Sequence, residues 1–131
     1  MIRSIVVLCL LSSTSYGADL ALYPVEEHLI TETNRQRALH GLPPYVMDVA
    51  CQEHARNHSY RQARMQSMHH SGFRGGENVS MNSSSNSAAC IGQWLRSPGH
   101  RAAFLSRRYT MFGVSAWRSR SGATYCTQTF R

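Results

Sequence analysis

The chain has seven histidines and seven acidic residues, and we consider three of them, His70, Glu77 and His100, for acid–base or metal chemistry. Imidazole and carboxylate groups act as general acids and bases. Two imidazoles with a carboxylate can also ligate zinc and leave one position open. We therefore take His70, Glu77 and His100 as candidate catalytic residues. His70 and His100 are in addition the candidate zinc ligands, which makes Zn²⁺ the one cofactor that the sequence suggests.

The spacing of these residues does not by itself build a metal site, because no His-Glu-x-x-His helix places two imidazoles on one face. His69 is an alternative to His70, and His100 could instead hydrogen-bond across a cleft and hold two loops together. Glu77 follows two glycines, which suit a tight turn that aims the carboxylate inward. Its structural alternative is to pair with an arginine or to cap backbone N–H groups.

Two other arrangements could be mistaken for active sites. Ser97 and His100 resemble a nucleophile and its base, but an N-cap role before Pro98 explains the serine, and no nucleophile elbow is present. In such a helix the dipole would keep His100 neutral. Trp94 falls on an apolar helical face and is expected in the core. Trp117 ends a strand beside an arginine and is the better candidate for stacking on a sugar or a base.

The elements that must position these residues change in character along the chain. Helical patterns come first and two strand patterns come last, joined by a hairpin loop over residues 118–122. This order indicates an α+β fold. We expect helices over residues 23–40, 48–65 and 88–95 and from 97 onward, and strands over 77–81, 111–117 and 123–130.

The N-terminus has the features of a secretory signal peptide. Arg3 precedes a short apolar run, and small residues follow up to Gly17. We expect residues 1–17 to be a signal peptide and residues 18–131 to form one domain that is secreted or periplasmic. No segment is long and apolar enough to cross a membrane.

Charge and cysteine content limit the classes of partner. The net charge is +7, and all 14 basic residues are arginines scattered along the chain, without a nucleic-acid-binding motif. Nucleic acid is therefore not expected as a partner. Outside the signal peptide the cysteines are Cys51, Cys90 and Cys126. Export to an oxidising compartment predicts one disulfide and one spare thiol, with all three pairings open.

Five motifs in order along the chain resemble those of the CAP superfamily, which includes cysteine-rich secretory proteins, insect-venom antigen 5 and plant pathogenesis-related proteins. The resemblance covers roughly residues 23–131 and is to the short bacterial members. The motifs are Asn34-x-x-Arg37 with Gly41-Leu42-Pro43-Pro44, His70-Ser71, Gly76-Glu77-Asn78, Trp94-x-x-Ser97-Pro98-Gly99-His100-Arg101, and Tyr109-Thr110-x-x-Gly113-Val114 with Tyr125-x-Thr127-Gln128-x-Phe130.

The resemblance implies an α-β-α sandwich, with a central antiparallel sheet between helical layers. It also implies a cleft lined by two histidines and two glutamates. His70 and His100 match the histidines, and Glu77 matches the first glutamate. Ser97 stands where the second glutamate usually lies, so this chain departs from the full tetrad.

Three functions remain open. The first is a monomeric, non-enzymatic binding module for a small molecule, a lipid or a cell-envelope component. The second is a metal-assisted hydrolase or peptidase that uses His70 and His100 as ligands and Glu77 as base. The third is a purely structural interaction domain in which these residues brace the fold.

Overall fold

The computed structural model describes residues 20–131, so the expected signal peptide lies outside the described residues. In chain order the elements are α1 (Pro24–Leu39), β1 (Val46–Met47), α2 (Val49–Met65), β2 (Gly76–Asn82), α3 (Ala89–Arg96), α4 (Pro98–Phe104), β3 (Met111–Arg118) and β4 (Thr124–Phe130). The α+β class is confirmed, and the observed bounds lie within a residue or two of the predicted ones.

The strands form one sheet in the order β1-β3-β4-β2. The central strand β4 pairs antiparallel with both β3 and β2. β1 is only two residues long and pairs with β3 in parallel, with Val46 opposite Met111. The sheet is therefore antiparallel in its three long strands, as expected, and β1 adds a short parallel edge just after the Pro43-Pro44 segment.

Helix α2 covers one face of the sheet through polar contacts. The Gln52 side chain donates to the Val114 carbonyl at 2.8 Å and accepts from the Val114 N–H at 2.9 Å. Ser59 Oγ lies 3.0 Å from Thr127 Oγ1. The helix comes so close that a Cβ on Gly113 would lie 2.3 Å from α2 backbone atoms. The residues on its buried side include Cys51, Ala55, Ser59 and Gln62.

Helices α1, α3 and α4 pack over the apolar core on the other face, which completes the α-β-α sandwich. The core includes Leu29, Ile91, Trp94, Phe104, Phe112, Val114 and Phe130. Trp94 is fully buried, as its helical position predicted. On α1, Ala38 is exposed, whereas Glu26 and Arg37 are buried because each has polar partners.

The motif Asn34-x-x-Arg37 has a structural role. The Asn34 side chain donates to the Tyr45 carbonyl at 2.9 Å and accepts from the Tyr45 N–H at 2.8 Å. Buried Arg37 donates to the carbonyls of Pro43 and Phe104, both at 2.9 Å. These bonds fix the turn after α1 and attach α4 to it.

The predicted helix starts have different outcomes. Asp48 caps α2, and its side chain accepts from the Cys51 N–H at 3.0 Å. Ser97 precedes α4 and Pro98 occupies the first helical position, but the Ser97 side chain makes no capping hydrogen bond. Ser97 is thus the N-cap residue of α4, as predicted, but the expected hydrogen bond from its side chain is missing.

The expected disulfide is not formed in the part of the chain that the structure describes. Cys51, Cys90 and Cys126 are free and buried. Burial raises the pKa of Cys51 to about 12, with a further contribution from Asp48. Burial and the neighbouring Cys126 thiol raise the pKa of Cys90.

Candidate functional site

Glu77 lies near the start of β2, opposite Thr129 of β4. A Cβ on the preceding Gly75 would lie 2.2 Å from the Phe130 carbonyl oxygen, so only glycine lets the chain enter the sheet at this distance. The Glu77 side chain is 6% exposed. The local sequence thus delivers a carboxylate to a nearly enclosed position at the end of the sheet.

The Glu77 carboxylate accepts three hydrogen bonds. Its Oε1 accepts from the Ser71 N–H and from His70 Nδ1, both at 2.9 Å, and its Oε2 accepts from Ser71 Oγ. His54 Nε2 lies 3.6 Å from Oε2. Burial alone would raise the pKa of Glu77, but the bonds from Ser71 and His70 outweigh it and hold the pKa below its ordinary value.

The direction of these bonds defines what Ser71 does. An ionised carboxylate can only accept, so Ser71 Oγ gives its single proton to Glu77. The same oxygen accepts from His54 Nε2 at 2.7 Å and from the Phe73 N–H at 3.2 Å. In a Ser-His-Asp triad the serine donates to the imidazole instead. Ser71 is therefore a link between His54 and Glu77.

His70 is the solvent-facing member of the group, with 65% of its side chain exposed. Its Nδ1 donates to Glu77, which leaves a lone pair on Nε2 when the ring is neutral. A carboxylate behind an imidazole is also the arrangement that orients metal-binding histidines. His69 faces elsewhere, with its ring 5.0 Å from that of His58.

His100 lies on α4, next to this group but not bonded to it. Its backbone carbonyl accepts from Asn78 Nδ2 at 3.0 Å, which holds α4 against β2. Burial, with a contribution from nearby His70, lowers the pKa of His100. The neutral imidazole that the helix dipole was expected to produce thus has another cause. Within residues 20–131 the His100 ring makes no hydrogen bond or ion pair to His70 or Glu77.

Sequence reasoning missed His54, which completes the bonded group with His70, Ser71 and Glu77. The signal was present, because His54 and His58 are one turn apart on α2 and therefore lie on the same face. The His54 ring also packs 4.7 Å from that of Phe73, centroid to centroid.

The fit of this region to zinc rests on two imidazoles. His70 offers Nε2, the atom that its bond to Glu77 leaves free, and His100 offers a ring whose pKa is lowered. Among residues 20–131 no group of three or more His, Cys, Asp or Glu side chains is placed to hold a metal ion. Catalytic zinc sites use three protein ligands.

The sequence matches the family model for the cysteine-rich secretory protein family, CAP, over residues 30–130. This chain belongs to the CAP family. The match includes α2, the loop before β2 and β2 itself, which carry the group around Glu77. Membership confirms the resemblance that the ordered motifs predicted.

A solved structure has the same fold as this CAP domain. An outer surface protein from Borrelia burgdorferi superposes with a TM-score of 0.66 and 14% sequence identity, covering 79% of this chain and 89% of that one. At this identity the likeness concerns the fold. No curated protein sequence matches the chain. None of the helices in residues 20–131 combines the length and apolar character that a membrane span needs.

Proposed function

We propose that this chain is an exported CAP-domain binding module, without catalytic turnover, whose cleft at His70, Glu77 and His100 receives a small molecule, a lipid or a cell-envelope component. The observation that carries the proposal is the hydrogen bonding of Glu77. Its carboxylate accepts three hydrogen bonds and has a lowered pKa. A general base works best with a pKa near the operating pH, so a carboxylate held in this way is better suited to positioning His70.

The proposed contact group is His70 Nε2. The ring is exposed, Glu77 fixes its orientation, and the free nitrogen can accept a hydrogen bond or ligate a metal ion. His100 contributes a second imidazole on the neighbouring helix. The name of the Borrelia relative, an outer surface protein, agrees with a location at the cell envelope.

A thermal-shift assay with zinc chloride, phosphatidylglycerol vesicles and soluble peptidoglycan fragments tests the proposal. We expect at least one probe to raise the melting temperature of the unchanged protein and to have no such effect on His70→Ala. His28→Ala, which removes an exposed histidine from α1, is the matched control and should respond like the unchanged protein. No shift with any probe, or an equal shift in His70→Ala, would contradict the proposal.

The hydrolase alternative makes a different prediction in a peptide-library assay. Chelator-sensitive cleavage that disappears in Glu77→Gln would overturn the non-enzymatic proposal. If His70→Ala combined with His100→Ala only lowers the melting temperature and changes no binding signal, the group has a bracing role alone.

A further inference from the structure

A second concave site lies at the other end of the sheet, beside Trp117. It is a cavity of about 350 Å³, within the range of small-molecule pockets. We call it the arginine cavity. Its lining comes from the end of α2, the end of β3 and the following turn, and consists of Ala63, Arg64, Trp117, Arg118, Ser119 and Arg120.

The arginine cavity brings together three positive charges without a carboxylate among its lining residues. Arg64, Arg118 and Arg120 are exposed. Within residues 20–131 none of the three forms an ion pair, whereas the guanidinium groups of Arg35, Arg56 and Arg131 are bound to carboxylates. The weak contact from Arg64 to the Tyr60 hydroxyl, at 3.4 Å, leaves most of its donors free. The fold thus leaves these three arginines available for an anion.

The half-buried Trp117 forms an aromatic wall that other rings hold in place. Tyr60 and Tyr23 meet its indole edge-to-face, with centroids 5.1 and 6.2 Å away. Arg56 stacks over Tyr23 at 4.3 Å and is itself fixed by Glu26. The wall is therefore preorganised, which lowers the entropy cost of binding a ring against it.

The space extends beyond the arginine cavity. Trp117 and Arg118 also line an adjoining cavity of about 380 Å³, whose other lining residues include Ser85, Ser87 and Thr124. The hydroxyl groups of Ser85 and Ser87 on that side suit the hydroxyl groups of a sugar, whereas the Thr124 hydroxyl already donates to the Ser84 carbonyl.

We propose that the arginine cavity binds a carbohydrate that carries a phosphate or sulfate ester. The planar guanidinium fork matches the oxygens of such an ester and can bind two of them at once. The apolar face of the sugar ring would pack against Trp117. A nucleic acid fits less well, because its successive phosphates require a basic groove that follows a strand, and here the arginines meet at one concavity.

This site is separate from the group around Glu77. Trp117 lies opposite Tyr125 on β4, and Glu77 lies opposite Thr129. The two β4 positions are four residues apart, which is about 13 Å along a strand. Arg64 and His54 are ten residues apart on α2, or about 15 Å. A variant of one site therefore leaves the other intact.

Calorimetric titration of the purified protein, paired with tryptophan fluorescence, tests the proposal. The probes are glucose 6-phosphate, N-acetylglucosamine 6-sulfate, the two parent sugars, inorganic phosphate and single-stranded oligothymidylate. We expect at least one ester to bind at least ten-fold more tightly than its parent sugar and than inorganic phosphate, and to change the Trp117 fluorescence. Binding no tighter than inorganic phosphate would mean an anion site without sugar recognition. Tighter binding of oligothymidylate would favour nucleic acid. Either result overturns the proposal.

Two double variants separate a built site from general positive charge. Arg64→Gln with Arg120→Gln removes two arginines of the cavity, and Arg107→Gln with Arg108→Gln removes two exposed arginines elsewhere. We expect the first pair to weaken binding of the ester at least ten-fold and the control pair to change it less than two-fold. Equal losses in both pairs would contradict the proposal. His70→Ala should bind the ester normally.

Discussion

Among the seven histidines, all of which lie in residues 20–131, only His58 is buried. It lies on the buried side of α2, its Nε2 donates to the His69 carbonyl at 2.6 Å, and its Nδ1 has no partner in the described residues. Its ring stacks on that of His54, 6.1 Å away. Burial lowers the pKa of His58, and the bond to His69 only partly offsets this effect. The folded protein therefore holds this imidazole neutral.

The pH dependence of stability follows from that lowered pKa. The unfolded chain binds a proton at the ordinary pKa of about 6.5, while the folded chain binds it only at lower pH, so acid favours the unfolded state. We expect the free energy of unfolding to fall as the pH drops from 7.5 to 5.5. His100, whose pKa is also lowered, adds to the fall. Glu77 adds nothing in this range, because its carboxylate is ionised in both states. Urea titrations at several pH values measure the slope.

His58→Gln tests the assignment of this slope. The variant should be less stable at pH 7.5 yet lose less free energy on acidification than the unchanged protein. His28→Gln, which removes an exposed imidazole from α1, is the control. An unchanged slope in His58→Gln would show that another group carries the pH dependence.

At the scale of elements, the contact between α2 and β3 depends on the missing side chain of Gly113. A Cβ there would lie 2.3 Å from backbone atoms of Cys51 and Gln52. Backbone cannot yield as a flexible side chain does, so Gly113→Ala has to push the helix away from the sheet. We expect it to destabilise the fold by about 3 kcal/mol, the upper part of the overpacking range. Urea denaturation measures this difference.

Gly99→Ala is the matched control for this change. A Cβ at Gly99 would meet no atom within 4 Å. Alanine is also the better helix former, so this variant should be as stable as the unchanged protein or slightly more stable. A Gly113→Ala protein of normal stability would mean that α2 can shift without cost.

At the scale of the whole molecule, Glu26 connects elements that are far apart in sequence. Its carboxylate accepts from Arg56 of α2 at 2.8 and 2.6 Å and from Ser115 of β3 at 2.9 Å. It also accepts from the Tyr23 N–H at the start of α1. Burial alone would raise the pKa of Glu26, but Arg56 and the other donors hold it below its ordinary value.

Replacing Glu26 should therefore weaken the whole domain. We expect Glu26→Gln to lower the free energy of unfolding by about 3 kcal/mol, because Arg56 loses the carboxylate that balances its charge. Glu27→Gln, at the exposed neighbouring position, should change it by less than about 0.5 kcal/mol. Chemical denaturation of both variants measures the difference. Equal effects would show that Glu26 acts only through the charge of α1.

The helices and strands of this fold could be predicted from local sequence patterns. Gly41 adopts a left-handed conformation after α1, Asp48 caps α2, and a high content of Thr, Tyr and Phe marks β4. Each of these features depends on neighbours within a few residues. The order of the CAP motifs then indicated how the elements pack.

The hydrogen-bond partners of buried polar groups could not be predicted from local sequence patterns. Glu26 and Arg37 look like ordinary helix-surface charges, and their partners lie up to 89 residues away along the chain. For the candidate site, His70 and Glu77 follow from one motif, and the structure joins them directly. His54 joins this group because the chain turns back after α2, over residues 66–71, and brings Ser71 against its ring. No local sequence pattern specifies this turn.

The polar contact between α2 and the sheet has a consequence for how accurately the domain is assembled. Apolar surfaces can slide over each other at little cost, but the two bonds between Gln52 and Val114 form at only one height and one rotation of the helix. These bonds therefore fix both the height and the rotation of α2 on the sheet. His54 on α2 is thereby placed beside Glu77 with the precision that hydrogen-bond geometry imposes.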